Sequence, residues 1–120
     1  MATIFGTLGG DSLLGSDLSD VIYGADSALA DAGGDTLRDN FGDDTLFGGA
    51  GADILEGGED LDSLAGQGGP DSLDGGRGAD TLLGGEGDDF LDGGDGEADS
   101  ADGGDGDDTC LAETPAACEA

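Results

Sequence analysis

The chain contains no histidine, no tryptophan and no lysine, and its only cations are Arg38 and Arg77. Against 30 acidic residues they leave a formal charge of −28 over 120 residues. Without histidine there is no Ser-His-Asp or Cys-His arrangement and no His-ligated zinc. Two arginines make no electrostatic footprint for nucleic acid or for an anionic membrane. No run of ~20 apolar residues occurs, so membrane insertion is not expected. Met1–Gly10 lacks the basic stretch and apolar segment of a secretory leader. The length allows one domain at most.

What is abundant is glycine, at 28 residues. By composition alone such an acidic, glycine-rich chain belongs with disordered sequences, because too little apolar side chain is present to offset the entropy of ordering the backbone. Any order must have another source. The two cysteines, Cys110 and Cys118, lie close together near the C-terminus, where they either close a small loop in an oxidising compartment or stay reduced.

A period of nine runs through the chain. Asp35, Asp44, Asp53, Asp62, Asp71, Asp80 and Asp89 are nine apart, and two residues after each comes Leu37, Leu46, Leu55, Leu64, Leu73, Leu82 and Leu91. The glycines keep the same register, as in Gly48-Gly49-Ala50-Gly51-Ala52-Asp53-Ile54-Leu55-Glu56, so the unit reads G-G-x-G-x-D-x-L-x. An earlier pair, Asp11 with Leu13 and Asp20 with Ile22, is offset by six extra residues around Asp26–Ala32, read as a loop or a single helical turn. A one-residue bulge before Asp99 restores the phase to Asp108, while the apolar slot fades from Leu91 to Ala101 to Cys110, as in a terminal rung.

This nonapeptide resembles the RTX, or haemolysin-type, calcium-binding repeat family, over about Gly6 to Leu111. The resemblance implies an all-β fold, a right-handed parallel β-roll in which each G-G-x-G-x-D is a turn and each x-L-x a short strand, with calcium ions in the turns. It divides the chain into a roll over residues 1–111 and a C-terminal tail over 112–120. Within the roll, 1–10 is an N-terminal cap strand, 26–34 an insertion and 35–111 the main array. Ala2–Phe5 and Val21–Tyr23 are expected as apolar caps over the open end, or as a docking edge for a preceding domain.

The residue types agree with that chemistry. Glycines at the first, second and fourth places permit φ > 0, so that successive carbonyls can aim at one point. Only oxygen ligands are on offer, which suits a hard cation with 6–8 oxygens, Ca²⁺, and suits Mg²⁺ less well because it dehydrates reluctantly. If strands alternate between two sheets, one coil is two repeats and turns on one edge stack ~4.8 Å apart.

By the family's pattern an ion then lies between Asp53 and Asp71 with carbonyls from Gly48, Gly49, Ala50 and Gly51 and from Gly66 to Gly69. The same pattern pairs Asp35 with Asp53, Asp44 with Asp62, Asp62 with Asp80 and Asp71 with Asp89, and, across the bulge, Asp80 with Asp99 and Asp89 with Asp108. Gly57, Gly75, Gly76, Gly78, Gly84, Gly85 and Gly87 complete the expected ligand set, for about five to seven ions. Three turns depart from the motif: Asp39-Asn40 replaces two glycines, Asp60 replaces the fourth-place glycine, and Gln67 stands at a second place.

Asp88, Asp92, Asp95, Asp102, Asp105 and Asp107 read as solvated surface. A phosphate cradle is excluded by the surrounding carboxylates, and no EF-hand window with its flanking helices is present. The leucines form a ladder too thin to hold the fold alone. The metal-free chain is therefore expected to be unfolded and the calcium-loaded chain folded.

The resemblance implies a secreted, monomeric, calcium-binding module without catalytic activity, with secretion machinery or an extracellular protein as its further partner; Ala112–Ala120 is shorter than the family's C-terminal secretion segment. Two alternatives are an accessory part of a larger enzyme or toxin and an interaction or ice-binding solenoid. The latter rests on Thr45, Ser63, Thr81 and Ser100, expected along one outer face, opposite the mixed series Thr36, Ile54, Ser72, Phe90 and Thr109.

Overall fold

The inward positions of each repeat fall two apart, as Asp44, Leu46 and Gly48 do, and the residues between them are half-buried or exposed. That is the alternation of a strand with one face covered. A computed structural model describes residues 3–5, 12–14, 21–23, 33–96, 98–111 and 114–117.

Among these there is no helix. Thirteen strands follow one another: β1 (Thr3–Phe5), β2 (Ser12–Leu14), β3 (Val21–Tyr23), β4 (Thr36–Arg38), β5 (Thr45–Ala50), β6 (Ile54–Glu59), β7 (Ser63–Gly68), β8 (Ser72–Arg77), β9 (Thr81–Glu86), β10 (Phe90–Gly94), β11 (Ser100–Asp105), β12 (Thr109–Leu111) and β13 (Thr114–Ala117). The odd strands form one seven-stranded sheet and the even strands a six-stranded sheet, in chain order. All pairings are parallel, so each coil contributes one strand to each sheet and the chain is the expected two-sheet solenoid.

Leu46, Leu64 and Leu82 are register partners in one sheet and Leu37, Leu55, Leu73 and Leu91 in the other. All seven, with Ala101, are fully buried and make up the core among the described residues, against which Ile4, Leu13 and Cys110 pack. On the outside, Thr45, Ser63, Thr81 and Ser100 share one register column, as expected.

Both phase slips are visible in the pairing. Ser12 pairs with Thr36 and Val21 with Thr45, six residues further on than in the regular coil, which puts the insertion between β3 and β4; of its expected residues 26–34, 26–32 lie outside the described residues. Before β11 one extra residue is absorbed at Ala98, which takes φ 71°.

Two expectations are corrected. Val21–Tyr23 is no cap: it is an interior rung, with Ile22 paired between Ile4 and Leu46, and β1 alone stands at the end of that sheet. At the other end, the segment expected as a tail contributes β13, which pairs with β11 through a register shift between Ala101 and Asp102. Cys110 occupies the inward slot opposite Leu91 and is disulfide-bonded; Cys118, the one other cysteine of the chain, lies outside the described residues.

Candidate metal centre

The sixth-place aspartates form two columns, one along each edge of the roll. Asp35, Asp53, Asp71, Asp89 and Asp108 lead into the six-stranded sheet, and Asp44, Asp62, Asp80 and Asp99 into the seven-stranded one. All nine are buried, none more than 6% exposed. An ionised carboxylate in such a place needs compensation by hydrogen bonds or by a cation.

Half of that compensation comes from the neighbouring coil. Oδ1 of seven of these aspartates accepts the backbone N–H of the aspartate one coil earlier: Asp53 from Asp35 at 2.7 Å, Asp62 from Asp44 at 2.9 Å, Asp71 from Asp53 at 2.8 Å, Asp80 from Asp62 at 2.9 Å and Asp89 from Asp71 at 2.8 Å. Across the bulge, Asp99 accepts from Asp80 at 3.0 Å and Asp108 from Asp89 at 2.9 Å. The seven pairs expected from the sequence are thus all stacked as neighbours.

The second oxygen is left over. Oδ2 of Asp62, Asp71, Asp80, Asp89 and Asp108 is buried and has no hydrogen-bond partner. Each of these oxygens points at the first-place glycine of its own turn. A Cβ built on Gly57 would lie 2.5 Å from Asp62 Oδ2 and 2.8 Å from the Gly75 carbonyl of the next coil. Gly84 faces Asp89 Oδ2 and the Gly103 carbonyl in the same way, and Gly48 faces Asp53 Oδ2 and the Gly66 carbonyl. At Asp62 and Asp89, a carboxylate oxygen without a hydrogen-bond partner and a backbone carbonyl converge on one confined place, which is a donor set for a hard cation.

The glycines therefore have two separate tasks. Those at second and fourth places, such as Gly49, Gly51, Gly76, Gly78, Gly85 and Gly87, take φ between 101° and 142°. Those at first places, Gly48, Gly57, Gly66, Gly75 and Gly84, do not, and are needed because any side chain would collide with Asp Oδ2. The expectation of φ > 0 at all three places is corrected to this division.

Two of the irregular turns keep the second- and fourth-place geometry without glycine: Asp60 takes φ 87° and Gln67 φ 81°. Asp60 is held there by its carboxylate, which accepts the Gly42 N–H at 3.2 Å. At the third irregular turn, the first-place residue Asp39 is a buried acid, and its Oδ1 accepts the Asn40 N–H at 2.9 Å.

Electrostatics mark the same oxygens. Burial pushes the Asp62 and Asp71 carboxyls up to about 7, against the lowering effect of the backbone N–H they accept, and the carboxylates one coil away push in the same upward direction. Burial raises Asp80 and Asp89 likewise. A bound cation would reverse this balance.

Among the described residues no three acidic side chains converge as a side-chain-only metal site, so any ion here depends on backbone oxygens. The third-place carbonyls are partly engaged, since Gly68, Glu86 and Asp105 accept the N–H of Gly51, Gly69 and Gly87. Sequence reasoning passed over Gly93 and Gly103, whose first-place cradles face Asp99 and Asp108, although the repeat spacing reaches them. It also assigned Asp88 to solvent alone, whereas its Oδ1 accepts the Asp107 N–H at 3.0 Å and staples two coils.

Comparison with curated proteins finds no match, and comparison with solved structures finds none. A family model described as the RTX calcium-binding nonapeptide repeat matches residues 3–28, 29–64 and 65–97, most of the chain. The match takes in the turns of Asp35 to Asp89 along the two edges of the roll, and the chain belongs to the RTX calcium-binding repeat family.

Proposed function

We propose that this chain is a calcium-dependent folding module that works outside the cell and has no catalytic activity of its own. Calcium binding goes with the family. The observation that carries the finer reading is the set of buried Oδ2 atoms without a hydrogen-bond partner, on Asp62, Asp71, Asp80, Asp89 and Asp108.

In this reading the ions lie between stacked turns, held by Asp35 to Asp108 of the two columns together with turn carbonyls, and number five to seven. Calcium supplies the positive charge that two columns of buried carboxylates lack. Its binding free energy is then folding free energy, because the thin leucine ladder and the charge of −28 do not favour the folded state alone. Such coupling suits a chain that stays unfolded where calcium is scarce and folds where it is plentiful, since extracellular modules work at Kd of about 10⁻⁴–10⁻³ M.

A calcium titration followed by far-UV circular dichroism, with calorimetry on the same sample, tests this. The expected result is a cooperative coil-to-strand transition with five to seven ions bound. A full strand signal in metal-stripped protein at neutral pH, or no transition at millimolar calcium, would sink the proposal.

A further inference from the structure

The coil that ends in β12 has the weakest core of the main array. Leucine fills the inward slot of each rung from Leu37 to Leu91, and every one of these side chains is fully buried. In the next two rungs the slot holds Ala101 in β11 and Cys110 in β12. Ala101 offers little apolar surface, and Cys110 is only half-buried. Burial stabilises in proportion to apolar area, so this coil gains least from the ladder. Among the described residues β12 pairs with β10 alone, at the end of the six-stranded sheet, whereas β8 is held from both sides.

Yet this coil has a ligand to hold in place. Asp108, two residues before Cys110, accepts the Asp89 N–H through Oδ1 at 2.9 Å, and its Oδ2 is buried without a hydrogen-bond partner. Asp89 Oδ2 and the Gly103 carbonyl converge at Gly84, so the turns of Asp89 and Asp108 face each other across one confined place. Half of that place belongs to the coil with the least core. Cys110 is disulfide-bonded, and the chain's other cysteine is Cys118. The bond therefore closes a loop that carries β13, a strand of the opposite sheet. A covalent tie spanning strands of both sheets stands where the leucine ladder has run out.

We propose that this disulfide closes the last coil of the roll and makes calcium binding by the turns of Asp89 and Asp108 depend on redox state. The inference rests on calcium binding at the stacked turns. A dithiol reductant supplies two electrons and two protons, the S–S bond breaks into the Cys110 and Cys118 thiols, and the dithiol becomes a disulfide. The loop constraint on the unfolded chain is then lost, β12 frays from β10, and Asp108 moves away with it. The coupling is reciprocal. Calcium at this place makes the bond harder to reduce by the same factor as the bond strengthens the site. A reducing, calcium-poor compartment thus opens the last coil twice over, and an oxidising, calcium-rich one closes it.

Calorimetric calcium titration of the full chain, oxidised and after treatment with a dithiol, tests this, with circular dichroism and a thiol count on every sample. The expected result is about one ion fewer in the reduced protein while the strand signal of the other coils persists. The double variant Cys110→Ser, Cys118→Ser should match the reduced protein, and Asp108→Asn should give the same ion count with and without the dithiol. Saturating calcium should also raise the dithiol concentration needed for half-reduction by roughly tenfold or more. Equal ion counts before and after reduction, or a double variant that keeps the full count, overturn the proposal and leave the calcium reading intact. A loss on reduction that is as large in Asp108→Asn overturns it as well, because the effect then lies at other turns. An oxidised chain that binds no calcium overturns both readings.

Discussion

Oδ1 of Asp71 accepts the backbone N–H of Asp53 at 2.8 Å, one coil earlier, while Oδ2 of the same carboxylate is buried with no hydrogen-bond partner. One side chain thus joins two coils through one oxygen and offers the other to a cation. Two substitutions separate these tasks. Asp71→Asn keeps an acceptor for the Asp53 N–H and loses the negative charge. It is expected to fold at higher calcium with a reduced ion count. Asp71→Ala loses both, leaving a buried N–H unpaired at a cost of about 1–3 kcal/mol. Its transition should shift further than that of Asp71→Asn. Calcium titrations of the three proteins check the order, and equal midpoints would refute it.

The same buried oxygens give stability a pH dependence whose direction reverses with calcium. The Asp62 and Asp71 carboxyls rise from 3.8 to about 7 in the metal-free fold, mainly through burial. An acid with a raised folded pKa takes up a proton on folding between those two values. The metal-free roll is therefore most stable below pH 3.8 and loses that stability as pH climbs toward 7. Metal-stripped protein is expected to gain strand signal on acidification. In calcium, protons compete for the ligand oxygens, so the same acidification should raise the calcium needed for folding. Parallel pH titrations by circular dichroism check both directions.

How much of this was legible in the sequence follows from what each residue does. Leu37 to Leu91 and Asp35 to Asp89 could be placed because a strict nine-residue period admits one register, and the stacking of their coils follows from it. The partner of Asp Oδ1 was not legible, because it depends on the offset between coils. The first-place glycines were read for backbone freedom, yet Gly57 and Gly75 are required by the space that Asp62 and Asp80 occupy. The strand at Thr114–Ala117 carries neither the period nor a turn motif, and it pairs only by shifting register against β11.

Gln67 and Asp60 show where a turn tolerates a departure. Both hold positive φ, which costs a non-glycine residue about 1–2 kcal/mol. Gln67→Gly removes that strain, partly offset by the greater freedom of glycine in the unfolded chain, worth about 0.4–1 kcal/mol. Its calcium-saturated Tm is expected to rise by a few degrees. Asp60→Gly should gain less, because it also loses the bond from the Gly42 N–H. Gly78→Ala should lower Tm, since its φ is 142° and its Cβ would meet the Asp60 carbonyl. Thermal melts in saturating calcium check the ranking of all three.

The leucine ladder makes the last prediction, on how far calcium can compensate for a lost core contact. Leu73 is fully buried between Leu55 and Leu91, in a core one side chain deep on each sheet. Leu73→Ala leaves a cavity whose neighbours are held by the ladder of strands and cannot close over it, and such substitutions cost about 2–5 kcal/mol. Because ion binding and folding are linked, the variant should still fold, but only at a calcium concentration raised enough to supply the lost stability. Ile54→Ala, on the outer face where the side chain is 45% exposed, should move the transition far less. Equal shifts for the two variants would mean that the leucines do not hold the sheets together and that the ions alone do.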